Sequence, residues 1–349
     1  KNHFYNQMPL ILTRLLTLLG ILIVLFFIFV FNDNPSAFVS YIALFGAAGY
    51  KLNSSIGQIS NWVVTLAINF PSIKIVFNEL KISDNLEFND DQKAKLPFNF
   101  NNSIKFDNVC FEYKKNEFNI KDINFEIKKG SFTSIIGESG SGKSTLVDLL
   151  MNFYNVNKGN IYFDNININS IDKKDLRNNI GYVTQSNFIF HGSINANIAF
   201  GIKNELFNIE EIKRVSKIAE IDKYIESLPN KYDTILSEQG INLSGGQKQR
   251  IVTSRALYGN KNILILDEAT SNLDKKNEEK IINKILKHAK DNHITVINVA
   301  HSLTSVINSD QIVVLDKGKI VESGNHDKLL SLNGFYSSLY NKYLNTNNK

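Results

Sequence analysis

Gly137-Glu138-Ser139-Gly140-Ser141-Gly142-Lys143-Ser144-Thr145 follows the β-branched and aromatic run Ser131-Phe132-Thr133-Ser134-Ile135-Ile136 and precedes Leu146, Val147, Leu149, Leu150 and Phe153 at helical spacing. The order is strand, glycine-rich loop, helix. Such a loop aims several backbone N–H groups at one point, where the helix dipole also favours negative charge. Gly137, Ser139, Gly140, Gly142 and Thr145 are therefore read as a phosphate cradle. Lys143 adds a mobile cation for the β- and γ-phosphates of a nucleotide, and Ser144 offers a hydroxyl to Mg²⁺.

Further along, Leu243-Ser244-Gly245-Gly246-Gln247 places Ser244 and the Gly245 and Gly246 amides at a helix N-terminus, a second anion site. One domain needs only one such site for one nucleotide. Two apolar runs, Ile263 to Leu266 and Ile294 to Ala300, read as fully buried strands. The first delivers Asp267 and Glu268 and the second His301. Taken alone, these ends are a charged turn and a structural histidine.

Taken together and in this order, residues 104–335 resemble the ATP-binding cassette family. The resemblance implies an α/β P-loop NTPase cassette with a parallel core sheet, a small antiparallel β layer and a helical subdomain, preceded here by two transmembrane α-helices. It implies ATP and Mg²⁺ as cofactors. Tyr113 would stack on adenine, and Gln185, after the strand Ile180-Gly181-Tyr182-Val183, would approach Mg²⁺ and report to the membrane part. Asp267 would hold Mg²⁺ through water, Glu268 would polarise the attacking water as general base, and His301 would contact the γ-phosphate. Ser271-Asn272-Leu273-Asp274 resembles the D-loop, with Asn272 where the family more often has Ala. Ser244, Gly245, Gly246 and Gln247 would close over the γ-phosphate held by the glycine-rich loop of a second copy. The active unit implied is a head-to-tail pair sandwiching two nucleotides. Glu268, His301 and the signature are all intact, so a homodimer would have two competent sites.

Ahead of the cassette, Leu15 to Phe31 is apolar and free of charge, near the length that crosses a bilayer. A signal peptide is the main rival, but the stretch is longer than such cores and no small-x-small cleavage site follows. After Asn32-Asp33-Asn34-Pro35, the chain from Ser36 to Ile73 carries Lys51 as its single charge. It reads as a long second helix, with Gly46, Ala47, Ala48 and Gly49 allowing close packing. Its later half mixes Asn53, Ser54, Ser55, Gln58, Ser60 and Asn61 with apolar residues, a pattern that suits a bundle interior, a water-filled path or interhelical hydrogen bonds. Basic residues lie before the first span (Lys1, Arg14) and after the second (Lys51, Lys74, Lys81), with none in the turn between. By the positive-inside rule both ends are cytoplasmic, which agrees with an integral protein of the bacterial inner membrane whose ATPase domain faces the cytoplasm.

The division expected is 1–80 membrane segment, 81–103 linker and 104–349 nucleotide-binding domain. Within the last, residues 104–136 and 161–168 supply the β layer. Apolar residues at 212, 215, 218, 221, 225 and 228 mark one amphipathic helix over 209–228. The net charge of +5 is modest and the lysine pairs are scattered, so no nucleic-acid footprint is expected. Cys110 is the only cysteine, which excludes an intrachain disulfide, and the histidines lack metal-ligand spacing.

Spans fused to a cassette resemble exporters. So do Phe190 to Ile198 and Leu236-Ser237-Glu238-Gln239-Gly240, the latter with Ser237 where Gly is common. Exporters of this kind place six spans before each cassette, so the expectation is the C-terminal part of a half-transporter with four spans upstream. Tyr50-Lys51-Leu52 and residues 72–80 are similar to lipid-linked oligosaccharide flippases. The expected partners are a second copy, membrane lipid and a lipid-linked or amphipathic substrate. Peptide or drug export is the alternative, and a soluble cassette ATPase of DNA repair or translation is the reading the two spans oppose.

Overall fold

The computed structural model describes the backbone of residues 2–31, 35–90, 95–113, 119–184, 186–203, 206–267, 275–300 and 306–347. The chain divides into two compact units, Lys1–Ala94 and Lys95–Lys349.

The first unit is a helical pair, α1 (Asn2–Phe31) and α2 (Pro35–Asp90), packed side by side. Thr17, Gly20, Ile21 and Val24 of α1 and Phe45, Ala48, Gly49 and Leu52 of α2 line a small cleft along their seam. Within the small-residue run only part serves this seam: Gly49 is buried against Ile21, whereas Gly46 has open space around it. Away from the seam, Leu16, Phe27, Leu44, Phe70 and Phe77 are all exposed. Among the described residues Val39–Lys81 is long and apolar enough to cross a membrane, and Leu15–Val30 is a shorter apolar helix.

Residues 81–103, read as a linker for want of periodicity, divide differently. Helix α2 runs on to Asp90. No glycine or proline stands between Pro71 and Pro97, and a helix once nucleated needs no apolar stripe to continue. From Lys95 the chain belongs to the second unit. Leu96 exchanges backbone hydrogen bonds with Ser170 and Asp172, the Phe98 amide donates to Asp175 Oδ2 at 2.6 Å, and Phe98 and Phe100 pack edge-on against Phe163.

The second unit holds two main sheets. An antiparallel layer of β1 (Ser103–Glu112), β2 (Asn119–Lys128), β4 (Lys158–Phe163) and β5 (Ile166–Asn167) has the order β2-β1-β4-β5. The central sheet comprises β3 (Phe132–Gly137), β6 (Ile180–Val183), β9 (Ile263–Asp267), β10 (Thr295–Val299), β11 (Gln311–Asp316) and β12 (Lys319–Gly324). Its order is β12-β11-β3-β10-β9-β6, parallel throughout except for β12. A short ribbon pairs β7 (Gly192–Ser193) with β8 (Ile235–Leu236). Strands β9 and β10 are buried at every position, the signature of a sheet covered on both faces.

Helices α3 (Lys143–Leu150), α4 (Lys173–Asn178), α5 (Ile194–Ile198), α6 (Ile209–Ile218), α7 (Asp222–Ser227), α8 (Gly245–Leu257), α9 (Lys275–Asp291), α10 (His326–Ser331) and α11 (Phe335–Asn347) complete it. They pack around separate cores. One joins α3, through Leu146, Val147, Leu149 and Leu150, to the antiparallel layer and one face of the central sheet. Another joins α5, α6, α8 and α9 to Leu264, Leu266 and Val296 on the same sheet.

The stripe expected over 209–228 buries as read, Ile212, Val215, Ile221 and Ile225 being fully enclosed, but on two helices. Glu220 breaks the run with a φ of 58°, a left-handed conformation uncommon outside glycine. Its carbonyl accepts from Arg250, and its carboxylate pairs with Lys280 and Lys284 of α9. These tertiary bonds hold a corner that no local sequence signal marks.

One close approach positions α8. A Cβ on Gly181 of β6 would lie 2.1 Å from the Ala256 carbonyl oxygen. Backbone cannot yield as a flexible side chain does. Gly181→Ala is therefore expected to cost about 1–3 kcal/mol through overpacking, read as a lower thermal unfolding midpoint of the detergent-solubilised chain; an unchanged midpoint would mean that α8 is not seated on β6 at this point.

Candidate functional site

The glycine-rich loop leaves the end of β3 and enters α3 at Lys143. Gly137 closes it against the next strand: a Cβ there would meet Leu315 O at 2.2 Å. Gly142 is the N-cap of α3 with φ 108°, and no side chain caps the helix. The start of α3 thus stands free of a side-chain cap at the place where the helix dipole favours a phosphate group. Glu138, Ser139 and Gly140 are exposed at the tip. The tip is braced from the side, since Gly318 donates to Ser141 O and accepts from the Lys121 amide. A cleft of about 390 Å³ lies beside it, lined by Lys121, Asp316, Lys317 and loop residues 138–141.

Lys143 is 5% exposed, and its Nζ donates to Gly137 O and Glu138 O, both at 2.9 Å. The ammonium is held across the loop that the amides surround. Ser144 is exposed and Thr145 is buried. The Thr145 hydroxyl faces Tyr113, whose hydroxyl lies 3.3 Å from it and donates to Asp148 Oδ2 at 3.1 Å. Tyr113 is 41% exposed and is packed edge-on by Phe111 and Tyr154. An aromatic ring held at its edges and by its hydroxyl, with part of its surface open, suits a base-stacking platform. Burial raises the pKa of both Tyr113 and Asp148 above their ordinary values.

Asp267 ends β9 and is 6% exposed. Register places it with the loop: Val299 of β10 pairs with Ile135 of β3 on one side and with Asp267 on the other. Two strand spacings, roughly 10 Å, therefore separate Asp267 from the foot of the loop at the same sheet edge. This is the carboxyl edge where parallel α/β sheets bind ligands. Tyr182 of β6 donates its hydroxyl to Asp267 Oδ2 at 3.1 Å. Burial and then the Asp267 charge push the Tyr182 pKa up, so the phenol keeps its proton.

Gln185, Glu268, His301 and the stretch Ser271–Asp274 lie outside the described residues. The described residues just ahead of the first three, Thr184, Asp267 and Ala300, stand at the ends of β6, β9 and β10. A buried aspartate and an exposed Ser144 hydroxyl are hard oxygen donors, and Mg²⁺ takes few protein ligands, leaving the rest to water and phosphate. That fits a set with no cluster of three acidic, His or Cys side chains among the described residues.

The second anion motif opens α8. Ser244 and Gln247 form a capping box, Gln247 Oε1 accepting from the Ser244 amide at 2.9 Å and Ser244 Oγ accepting from the Gln247 amide at 3.3 Å. The Gln247 side chain thus serves the cap. Ser244 and Gly245 are exposed while Leu243 is buried as the anchor. Leu243, Ile251, Val252 and Leu257 belong to a different core from that of α3.

Two segments named separately in the sequence are joined in space. The β7–β8 ribbon pairs residues 192–193 with 235–236, and the Gln239 amide donates to Ile189 O. Sequence reading missed Asp148 and Tyr182, and it missed Arg255. The Arg255 guanidinium reaches from α8 to Asn197 O, Asn197 Oδ1 and Phe188 O, and lies over the rings of Phe190 and Phe200. Burial lowers its pKa to about 10.

Lys143→Ala removes charge-assisted bonds worth about 1.5–3 kcal/mol, so nucleotide affinity is expected to fall roughly 10–100-fold in a fluorescent-nucleotide titration; unchanged affinity would contradict the cradle. Ser244→Arg fills the mouth of the second site. It should abolish cooperative hydrolysis while sparing nucleotide binding by each copy, and retained cooperativity would separate the two motifs.

The ABC transporter family model matches residues 120–271. The ATP-dependent lipid A-core flippase of Desulfotalea psychrophila is 38% identical over 310 residues, 89% of this chain and 52% of that protein. The transport/processing ATP-binding protein ComA of Streptococcus pneumoniae is 42% identical over 238 residues, 68% of this chain and 32% of that protein. The chain spans about half the length, or less, of such relatives. Among solved structures, a bacterial Atm1-family ABC exporter with ATP bound superimposes with a TM-score of 0.68 at 27% identity, covering 98% of this chain and 69% of that one. The loop, the aspartate that shares its sheet edge and the capped signature helix are thus those of a family: this chain carries an ABC transporter domain.

Proposed function

We propose that this chain works as half of a homodimeric exporter of the bacterial inner membrane, coupling ATP binding and hydrolysis to translocation of an amphipathic or lipid-linked substrate. The observation that carries the reading is the pair of exposed anion sites in one unit, built on different cores. Each cassette has an exposed phosphate loop on one core and, on another, an exposed signature turn at Ser244 and Gly245 that lies open to a partner. Two copies arranged head to tail set the one against the other.

In that arrangement Lys143 and the amides of residues 138–145 bind the polyphosphate, and Tyr113 orients the base. Ser144, Asp267 and Gln185 would hold Mg²⁺, which would supply charge neutralisation for the transferred phosphoryl group. Glu268 takes the proton of the attacking water and His301 hydrogen-bonds the γ-phosphate. Ser244, Gly245 and Gly246 of the second copy close the site and exclude bulk water. Arg255 binds α8 to the 188–200 segment, so motion of the signature helix reaches that segment directly.

Support for export, of a lipid-linked substrate or of a drug alike, comes from the extent of two similarities. The alignment to the lipid A-core flippase covers 89% of the chain, more than Lys95–Lys349 alone provides, so it runs into the helical unit. The putative multidrug export ATP-binding/permease protein YgaD of Bacillus subtilis covers 87% and so reaches that unit too, whereas the 68% covered by ComA is no longer than the second unit. Exposed apolar side chains on α1 and α2 suit a lipid surround.

The test is ATP-dependent movement of a fluorescent lipid-linked oligosaccharide in proteoliposomes holding the protein, with Glu268→Gln as control. The variant should bind ATP and lose about 10²–10⁴-fold in hydrolysis, the usual worth of a positioned base, and transport should stop with it. Robust ATPase activity without lipid movement would turn the substrate assignment to a peptide or drug, and normal turnover by Glu268→Gln would remove the base.

A further inference from the structure

Tyr182 lies one strand away from the metal-facing carboxylate, and the sheet itself aims it there. Strands β6 and β9 run parallel with Tyr182 opposite Ile265. Residues 265 and 267 share a face, because side chains alternate along a strand. Asp267 is therefore the diagonal neighbour of Tyr182, a separation that a tyrosine spans and shorter side chains do not. The observed bond, Tyr182 hydroxyl to Asp267 Oδ2 at 3.1 Å, is the contact this register allows. Ile180, Ile263 and Ile265 on this face pack in the same core as Leu146, Leu149 and Leu150 of α3, so the pair sits in the layer beneath the phosphate loop.

We propose that Tyr182 is a positioning residue for Asp267: its hydroxyl fixes the rotation of the carboxylate and so sets how well Asp267 holds the Mg²⁺ that accompanies ATP. The inference rests on the nucleotide-site reading above. Partners that orient a metal-facing group tune affinity without touching the ion. Tyr182→Phe deletes the hydroxyl alone and leaves the ring in the core.

Mn²⁺ serves as the probe, bound to the full-length protein with a non-hydrolysable ATP analogue and followed by electron paramagnetic resonance. Tyr182→Phe should weaken Mn²⁺ binding by about tenfold, the lower end of what such partners contribute, and raise the Mg²⁺ needed for half-maximal hydrolysis in parallel. Affinity for the analogue in EDTA should stay unchanged. Adding Tyr182→Phe to Asp267→Asn should produce no further loss. Unchanged Mn²⁺ affinity, an equal loss in EDTA, or additive effects in the double variant would each overturn the role. Failure of the nucleotide-site reading has a separate signature: Lys143→Ala would then leave analogue binding in EDTA intact.

Discussion

Everything in the second unit is arranged around a turn in which backbone stands where side chains would normally be. The chain leaves β3 at Gly137 with the Leu315 carbonyl so near that a Cβ is excluded, and the loop then winds back to start α3 without a side-chain cap. A polyphosphate can be held there by amides only if the strand, loop and helix stay rigid. That rigidity comes from elsewhere: Leu146, Leu149 and Leu150 lock α3 into a core shared with the antiparallel layer, and the Gly318 turn braces the tip. Each buried leucine contributes on the order of 1.5–3 kcal/mol.

The same central sheet serves a second body on other terms. The helical part around α8 shares Leu264, Leu266 and Val296 with the sheet through an apolar core of its own, and polar ties add to it. Arg255 gathers two backbone carbonyls, one side-chain amide and two aromatic rings, and Glu220 gathers two lysines. Removing Arg255 would take a donor from the buried Asn197, the costly half of the hydrogen-bond ledger, whereas Lys280 and Lys284 are exposed and would return to water. The signature helix, the 188–200 segment and the β7–β8 ribbon are therefore tied to one another by direct bonds.

Features carried by local pattern were legible in the sequence. The phosphate loop reads from glycine spacing, β9 and β10 from unbroken apolar runs, and the α8 start from Ser244 and Gln247. Features set by strand register or tertiary bonds were not. Tyr182 meets Asp267 only once β6 and β9 are paired. The break at Glu220 comes from a left-handed residue held by Lys280, Lys284 and Arg250, and a smooth apolar stripe concealed it. The extension of α2 to Asp90 was hidden for the opposite reason, since polar composition lacks periodicity without containing a breaker. Tyr113 and the roles of Gln185, Glu268 and His301 came from family resemblance, because single residues at strand ends have plainer readings.

The central claim is that each nucleotide is enclosed by the loop of one copy and the signature of another. Mixing two defective forms, Lys143→Ala and Ser244→Arg, and measuring ATPase activity after co-reconstitution tests it most directly. A head-to-tail pair containing one of each has one site with both defects and one site with none. Recovery of activity in the mixture, absent from either variant alone, is the predicted result. A mixture as inactive as its components would place loop and signature in the same copy and contradict the account.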